Sequence, residues 1–130
     1  MGKMKGKITS AVPVFRVASV ARSATWYTEI LGFVADSVGP KDDPVFSILR
    51  RDGVELMVQK VIDGVGAARS AATAGGGWDA YIRVDDVEVF RTAIQAKLPA
   101  VGPIVGREYG CRELALTDPD GHVVVLGECG

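Results

Sequence analysis

Arg16-Val17-Ala18-Ser19-Val20 recurs as Arg83-Val84-Asp85-Asp86-Val87, at an offset of 67 residues. Each copy joins a strand-like stretch to a helix-like one. Before the first helix lies Val12 to Val17, and before the second lies Trp78 to Val84. Ser19 is placed to cap the first helix, whose Val20, Ala24, Tyr27 and Leu31 share one face, and Gly32 follows as its stop. In the second, Asp85 with Glu88 has capping-box spacing, Val87, Phe90, Ile94 and Leu98 share a face, and Pro99 ends the run. Three strand-like stretches follow each helix: Phe33 to Val38, Val45 to Leu49 and Val54 to Gln59, then Pro103 to Gly106, Arg112 to Thr117 and Val123 to Leu126. Asp52-Gly53 and Asp120-Gly121 stand where two strands of each half should turn, because glycine accepts positive φ without a steric penalty. The order is strand, helix, three strands, twice over. The expected fold is α+β: one domain over residues 1–130, with two βαβββ modules at about 8–60 and 78–128 and a linker at 61–77.

Alternation along the strands sharpens this expectation. Val54, Leu56 and Val58 oppose Glu55, Met57 and Gln59, and Ala80, Ile82 and Val84 oppose Asp79, Tyr81 and Arg83. Leu114 and Leu116 oppose Glu113, Ala115 and Thr117, while Phe15 and Val17 oppose Val14 and Arg16. One face is purely apolar and belongs under the helices. The other mixes apolar walls with a few polar groups, as small-molecule sites do, although a merely wetted sheet would look the same. The sheets are expected to curl these mixed faces into a cup, with the helices outside.

Composition narrows the function. With 130 residues, 48% of them hydrophobic, the chain has enough core to fold without a metal or disulfide scaffold. A formal net charge of −1 argues against nucleic acid or an anionic membrane as partner. No apolar run approaches a membrane span, and Met1 to Val20 is too broken for a secretion signal. Cys111 and Cys129 lack metal-ligand spacing and are expected to be reduced thiols in a cytoplasmic protein. The Gly- and Ala-rich Ile62 to Gly77 reads as a mobile connection or a lid over the cup. No phosphate loop, Rossmann glycine pattern or hydrolase triad is present, and Cys111 has no evident base. Trp78 and Tyr109 flank strands and are candidate stacking walls, whereas Trp26 reads as a packing or dimer contact.

Four stretches resemble a known superfamily: Ser10-Ala-Val-Pro-Val14; Arg22-Ser-x-x-Trp-Tyr-x-x-Ile-Leu-Gly-Phe33; Asp52-Gly-Val-Glu-Leu56; and Arg112-Glu-Leu-Ala-Leu-Thr-Asp-Pro-Asp-Gly121. Together, from about Ile8 to Glu128, they resemble the vicinal oxygen chelate superfamily of glyoxalases, extradiol dioxygenases, and fosfomycin and bleomycin resistance proteins. The resemblance implies paired βαβββ modules around a cup and a homodimer, with Pro13 at a bend that would let the first strand cross to a partner. Metal-dependent branches place one ligand on each of four strands. By motif these positions fall on Val12, Glu55, Asp79 and Val125, so two of the four cannot bind a metal. The only histidine, His122, reads as a turn residue facing away from Val125.

The closest resemblance is to the metal-free, bleomycin-resistance-like branch, in which binding alone gives function. It implies a cytoplasmic antibiotic- or metabolite-sequestering protein with no cofactor, no metal and no catalytic residue. The expected substrate-binding residues are Val14, Arg16, Glu55, Met57, Trp78, Asp79, Tyr81, Arg83, Tyr109 and Glu113. Arg16 and Arg83, both inward, point to an anionic or mixed ligand unless they pair with Glu55 and Asp79. The alternative is a lyase, isomerase or dioxygenase of the same superfamily, using Glu55 with or without a weakly held metal.

Overall fold

A computed structural model of the protein describes residues 2, 4–61 and 77–130. The first module runs β1 (Val14–Val17), α1 (Val20–Leu31), β2 (Val34–Val38), β3 (Phe46–Arg51) and β4 (Val54–Lys60). The second runs β5 (Ala80–Arg83), α2 (Val87–Gln95), β6 (Val105–Gly106), β7 (Cys111–Thr117) and β8 (Val123–Cys129). Each module makes a four-stranded sheet, ordered β1-β4-β3-β2 and β5-β8-β7-β6. The first strand of each sheet pairs parallel with the last, and the other pairs are antiparallel. The repeated βαβββ order is therefore present, and the two sheets do not join into a closed barrel. Of the expected linker at 61–77, and of the lid reading of 62–77, residues 62–76 lie outside the described residues.

Local chemistry sets the helix ends. The Ser19 hydroxyl accepts from the Arg22 amide at 3.2 Å, and Gly32, at φ 73°, closes α1 by donating to the Thr28 and Tyr27 carbonyls. The second helix departs from the expectation in two ways. Asp86, not Asp85, is its cap, accepting from the Glu88 and Val89 amides at 3.2 and 3.3 Å. Glu88 is then the second helical residue, and no capping box forms. Two adjacent aspartates offer the same acceptor, and the one nearer the first free amides takes the role. The helix also ends at Gln95 rather than Pro99, because the Lys97 and Leu98 amides both turn in to the Ile94 carbonyl. Leu98 still packs on the core from beyond the helix.

The apolar faces lie where alternation put them, except that Val54 at the start of β4 is exposed. Phe15, Val17, Leu49, Leu56, Val58, Leu114, Leu116, Val124 and Leu126 are buried with Val20, Tyr27, Leu31, Val87 and Ile94 in one cluster spanning both modules. Each such side chain stabilises the fold by about 1.5–3 kcal/mol.

A polar hub locks the modules together. Asp118, fully buried, accepts from the Tyr27 hydroxyl at 2.8 Å and from the Asp120 and His122 amides at 2.9 Å each, and it pairs with His122 Nδ1 at 2.9 Å. The His122 ring stacks on Phe15 at 4.5 Å. Asp120 accepts from the Ala18 amide at 3.0 Å and from Arg22 at 3.2 Å. The Asp118-Pro-Asp-Gly turn of the second module thus holds the β1–α1 junction of the first. His122 is a turn residue on the core side, as expected, with Val125 on the opposite face.

This hub makes stability depend on pH. Burial pushes Asp118 up, but the His122 and Tyr27 hydrogen bonds outweigh it and hold the carboxyl below its ordinary range. Burial pushes His122 down, and Asp118 more than compensates, leaving it raised. The Asp118 contribution is present above the ordinary carboxylate range and is lost as pH falls through the lowered value. The His122 contribution is complete below about pH 6.5 and is lost as pH rises through the raised value. The thermal midpoint is expected to be highest between the two and to decline on the alkaline side. His122→Gln should flatten only that alkaline limb; an unchanged limb would assign it elsewhere.

The cysteines correct the expectation of reduced thiols. Cys111 and Cys129 are register partners across β7 and β8, with Cα atoms 4.2 Å apart, and they are disulfide-bonded. The hairpin register brings them together, which their sequence spacing conceals. The argument for a cytoplasmic location from free thiols falls with them. Among the described residues, no helix is long and apolar enough to cross a membrane.

Candidate functional site

On the mixed face of the first sheet, Val14 lies beside Met57, and Arg16 lies beside Gln59. Val14 is half exposed. Glu55 accepts from Arg50 Nε at 2.7 Å, and Arg50 reaches Asp36 at 3.6 Å. Glu55 therefore does not pair with Arg16 or Arg83. One of its oxygens is thus engaged by a neighbouring strand, and the side chain remains about one-third exposed.

The second sheet builds a tighter arrangement. Glu113, on β7, has a side chain only 3% exposed. One of its oxygens accepts from the Tyr81 hydroxyl at 2.8 Å and from the Tyr109 hydroxyl at 2.6 Å. The other accepts from Arg107 Nε at 2.8 Å. Burial pushes this carboxyl up, but hydrogen bonds from Tyr109, Arg107 and Tyr81 prevail and keep it below its usual range. Its partners respond in turn. Partial burial, then the Glu113 bond, pushes the Tyr81 phenol up to about 12, and Tyr109 is raised first by its bond to Glu113. All three donors are thus in their donating forms at neutral pH.

Arg107 and Tyr109 are brought over Glu113 by a tight return. The Gly110 amide donates to the Arg107 carbonyl at 3.0 Å, and the Arg107 amide donates to the Cys111 carbonyl at 2.8 Å. Gly110 has φ 87°, a conformation a side chain resists. Beside this group lies a pocket of about 200 Å³, walled by Trp78, Pro103, Val105, Ala115 and Val125 and ending on Arg107 and Glu113. The Trp78 and Tyr81 rings are 5.4 Å apart.

Tyr81 reaches Glu113 only because residue 127 is glycine. A Cβ there would lie 2.0 Å from the Tyr81 hydroxyl oxygen. Gly127→Ala is therefore expected to push the ring off β8 and break its bond to Glu113. The thermal midpoint should change little, since a ring end can swing away and an alanine suits a strand. Near-ultraviolet circular dichroism should change and the Tyr81 phenol should titrate at lower pH. An unchanged Tyr81 titration would contradict this account.

The ten expected residues thus divide. Trp78, Tyr81, Tyr109 and Glu113 come together in the second module, while Val14, Arg16 and Met57 lie on the first sheet. Glu55 and Arg83 meet Tyr81 in another cavity of about 450 Å³, floored by Ala80 and Ile82 and edged by the segment from Ser10 to Pro13. Among the described residues, neither Arg16 nor Arg83 forms an ion pair. Asp79 accepts from the Val123 amide at 2.8 Å, which ties it to β8. A larger cavity of about 540 Å³ opens between Phe33 and Val54 on one side and Val84 and Phe90 on the other. It lies on the helix side, where Arg51 covers Phe90 at 4.9 Å, with Arg83 of the mixed face also lining it.

Arg107, Gly127 and Arg50 were not read from the sequence. Arg107 follows Val105 by two and shares its face, but a two-residue strand is too short for alternation to be visible. At the positions the resemblance assigns to metal ligands, Val12 and Val125 offer no donor, Glu55 accepts from Arg50, and Asp79 accepts from the Val123 amide. Among the described residues, no group of three or more His, Cys, Asp or Glu side chains is placed to hold a metal ion.

The model of the Glyoxalase/Bleomycin resistance protein/Dioxygenase superfamily matches residues 9–126. No curated protein matches the sequence. Solved structures share the fold at low identity. A glyoxalase-related enzyme from Clostridium phytofermentans superposes with a TM-score of 0.76 at 15% identity, over 98% of this chain and 100% of that one. A bleomycin-binding protein from Streptomyces verticillus, complexed with copper(II)-bleomycin, gives 0.68 at 23% identity, over 97% and 99%. A bleomycin resistance determinant encoded on the transposon Tn5 gives 0.70 at 20% identity, over 94% and 98%.

Proposed function

Since the chain belongs to the glyoxalase/bleomycin resistance protein/dioxygenase superfamily, we propose that it binds and sequesters a small molecule, without a resident metal and without turnover. The observation that carries this reading is the second-module pocket. Its walls are apolar and aromatic, and its one buried carboxylate is fixed in place by three donors. Pre-set polar groups in an apolar cleft give orientation and specificity without chemistry. Valine at two of the four expected ligand positions supports the absence of a metal centre. The bleomycin-binding neighbours make antibiotic sequestration, by a homodimer, the favoured form of this activity.

Trp78 supplies the test. In a Trp26→Phe background it is the only tryptophan. A panel of planar aromatic drugs and metabolites is expected to contain compounds that quench its emission saturably, and Trp78→Ala should weaken their binding at least tenfold by calorimetry. Elemental analysis of dialysed protein should find far less than one divalent ion per chain. One tightly held ion per chain, or turnover of a bound compound at an enzymatic rate, would overturn the reading.

A further inference from the structure

Arg107 sits at the pocket as if it were the ligand. Among the described residues lining the cavity, Arg107 and Glu113 are the only charged ones, and the rest are apolar or glycine. The two differ in exposure and in how they are held. The Glu113 side chain is 3% exposed and accepts from Tyr81 on β5 and from Tyr109 and Arg107 in the β6–β7 connection, whereas the Arg107 side chain is 42% exposed and contributes a single bond to the carboxylate. Two phenols occupy one Glu113 oxygen, so the second oxygen depends on Arg107 alone among the described residues.

We infer that the pocket selects a planar cation, an amidinium, guanidinium or arylammonium group, which takes the place of Arg107 on Glu113. This rests on the binding reading above and names its ligand class. Three observations combine to support it. Burying a new charge is normally costly, but Glu113 is already desolvated and neutralised from within, so exchanging one cation for another leaves the charge balance unchanged. Displacing Arg107 frees only the oxygen it held, since the other already accepts from two phenols, so the incoming cation makes one charge-assisted bond there. Trp78, which lines the pocket, then offers a π-face that attracts a cation and accepts its flat ring. At about 200 Å³ the pocket lies below the roughly 300 Å³ lower bound of drug-sized sites, so it accepts one ring with its charged group. A larger ligand would extend from it across the open face.

Arg107 is in this account a built-in competitor, and its removal should strengthen binding. The probes are benzamidine, its neutral isostere benzamide, and benzoate, titrated against the full chain by calorimetry and by Trp78 emission in the Trp26→Phe background. Benzamidine is expected to bind, with benzamide and benzoate at least tenfold weaker. Arg107→Ala should tighten benzamidine about tenfold, and Arg107→Ala with Glu113→Gln should lose that gain. Arg107→Gln serves as a second variant should the alanine protein fold poorly. Benzamide or benzoate binding as well as benzamidine would overturn the cation assignment and leave the binding reading standing. Weaker benzamidine binding in both Arg107 variants would overturn the exchange, since it would make Arg107 a ligand contact rather than a competitor. No binding by any of the three would overturn the assignment, and the wider panel would then decide the binding reading separately.

Discussion

Asp118→Ala is expected to lower the thermal midpoint by roughly 10–20 °C, equivalent to about 3–5 kcal/mol in a domain of this size. The carboxylate is the shared acceptor for the Tyr27 hydroxyl, the Asp120 and His122 amides and the His122 ring. Truncation leaves Tyr27 and those donors buried without partners, and the penalty for an unmet buried donor exceeds the worth of the bond it lost. The change also crosses a module boundary, because Tyr27 belongs to α1 and His122 to the turn before β8. Loss of the hub should therefore loosen the β1–α1 junction as well as the turn. Asp118→Asn, which keeps one acceptor oxygen, should recover about half the loss. A midpoint within 3 °C or so of the parent for the alanine variant would show that the turn is held by its backbone alone.

Reduction of the Cys111–Cys129 disulfide should cost up to about 3 kcal/mol, the chain-entropy value for a loop of some 18 residues. The true figure should fall below that ceiling, because the β7–β8 ladder already brings the ends together. The expected result is a midpoint lower by about 5–10 °C in a strong dithiol reductant, with the same loss in a Cys111→Ser, Cys129→Ser double variant. The Tyr81 hydroxyl lies 3.4 Å from the Cys129 sulfur, so the fluorescence of the neighbouring Trp78 should shift too. No effect of reductant on a protein whose disulfide is verified by mass would remove the bond from the stability account.

What the sequence revealed and what it hid follow from the range of the interactions. Ser19 and Gly32 were legible because a cap and a left-handed stop are decided by neighbours within four residues. Asp85 and Asp86 were not separable, since both offer the same group to the same amides. Strand faces were legible wherever alternation ran for several residues, as in β4 and β7, and invisible at β6. The disulfide lay one inference away: once Thr117 faces Val123 across the turn, counting outward along the pair puts Cys111 opposite Cys129. Ending the strands at Arg112 and Leu126 stopped that count early. The site was half legible. Alternation placed Glu113 and Tyr81 on one face, but their contact depends on the empty space above Gly127, which no pattern of side chains announces.

The outer margin of the first sheet has a consequence for how the protein behaves in concentrated solution. Strand β2 is the sheet's edge, exposed along all five residues, with Val34 and Val38 open to solvent. Such a margin invites another molecule to add a strand, and repeated addition is how fibres grow. Asp36 stands at the middle of it, so a second copy stacking in antiparallel register would set two carboxylates against each other. The corresponding edge of the second sheet, β6, is two residues long and offers hardly any template. One acidic side chain on β2 and the shortness of β6 each work against strand addition at their edges.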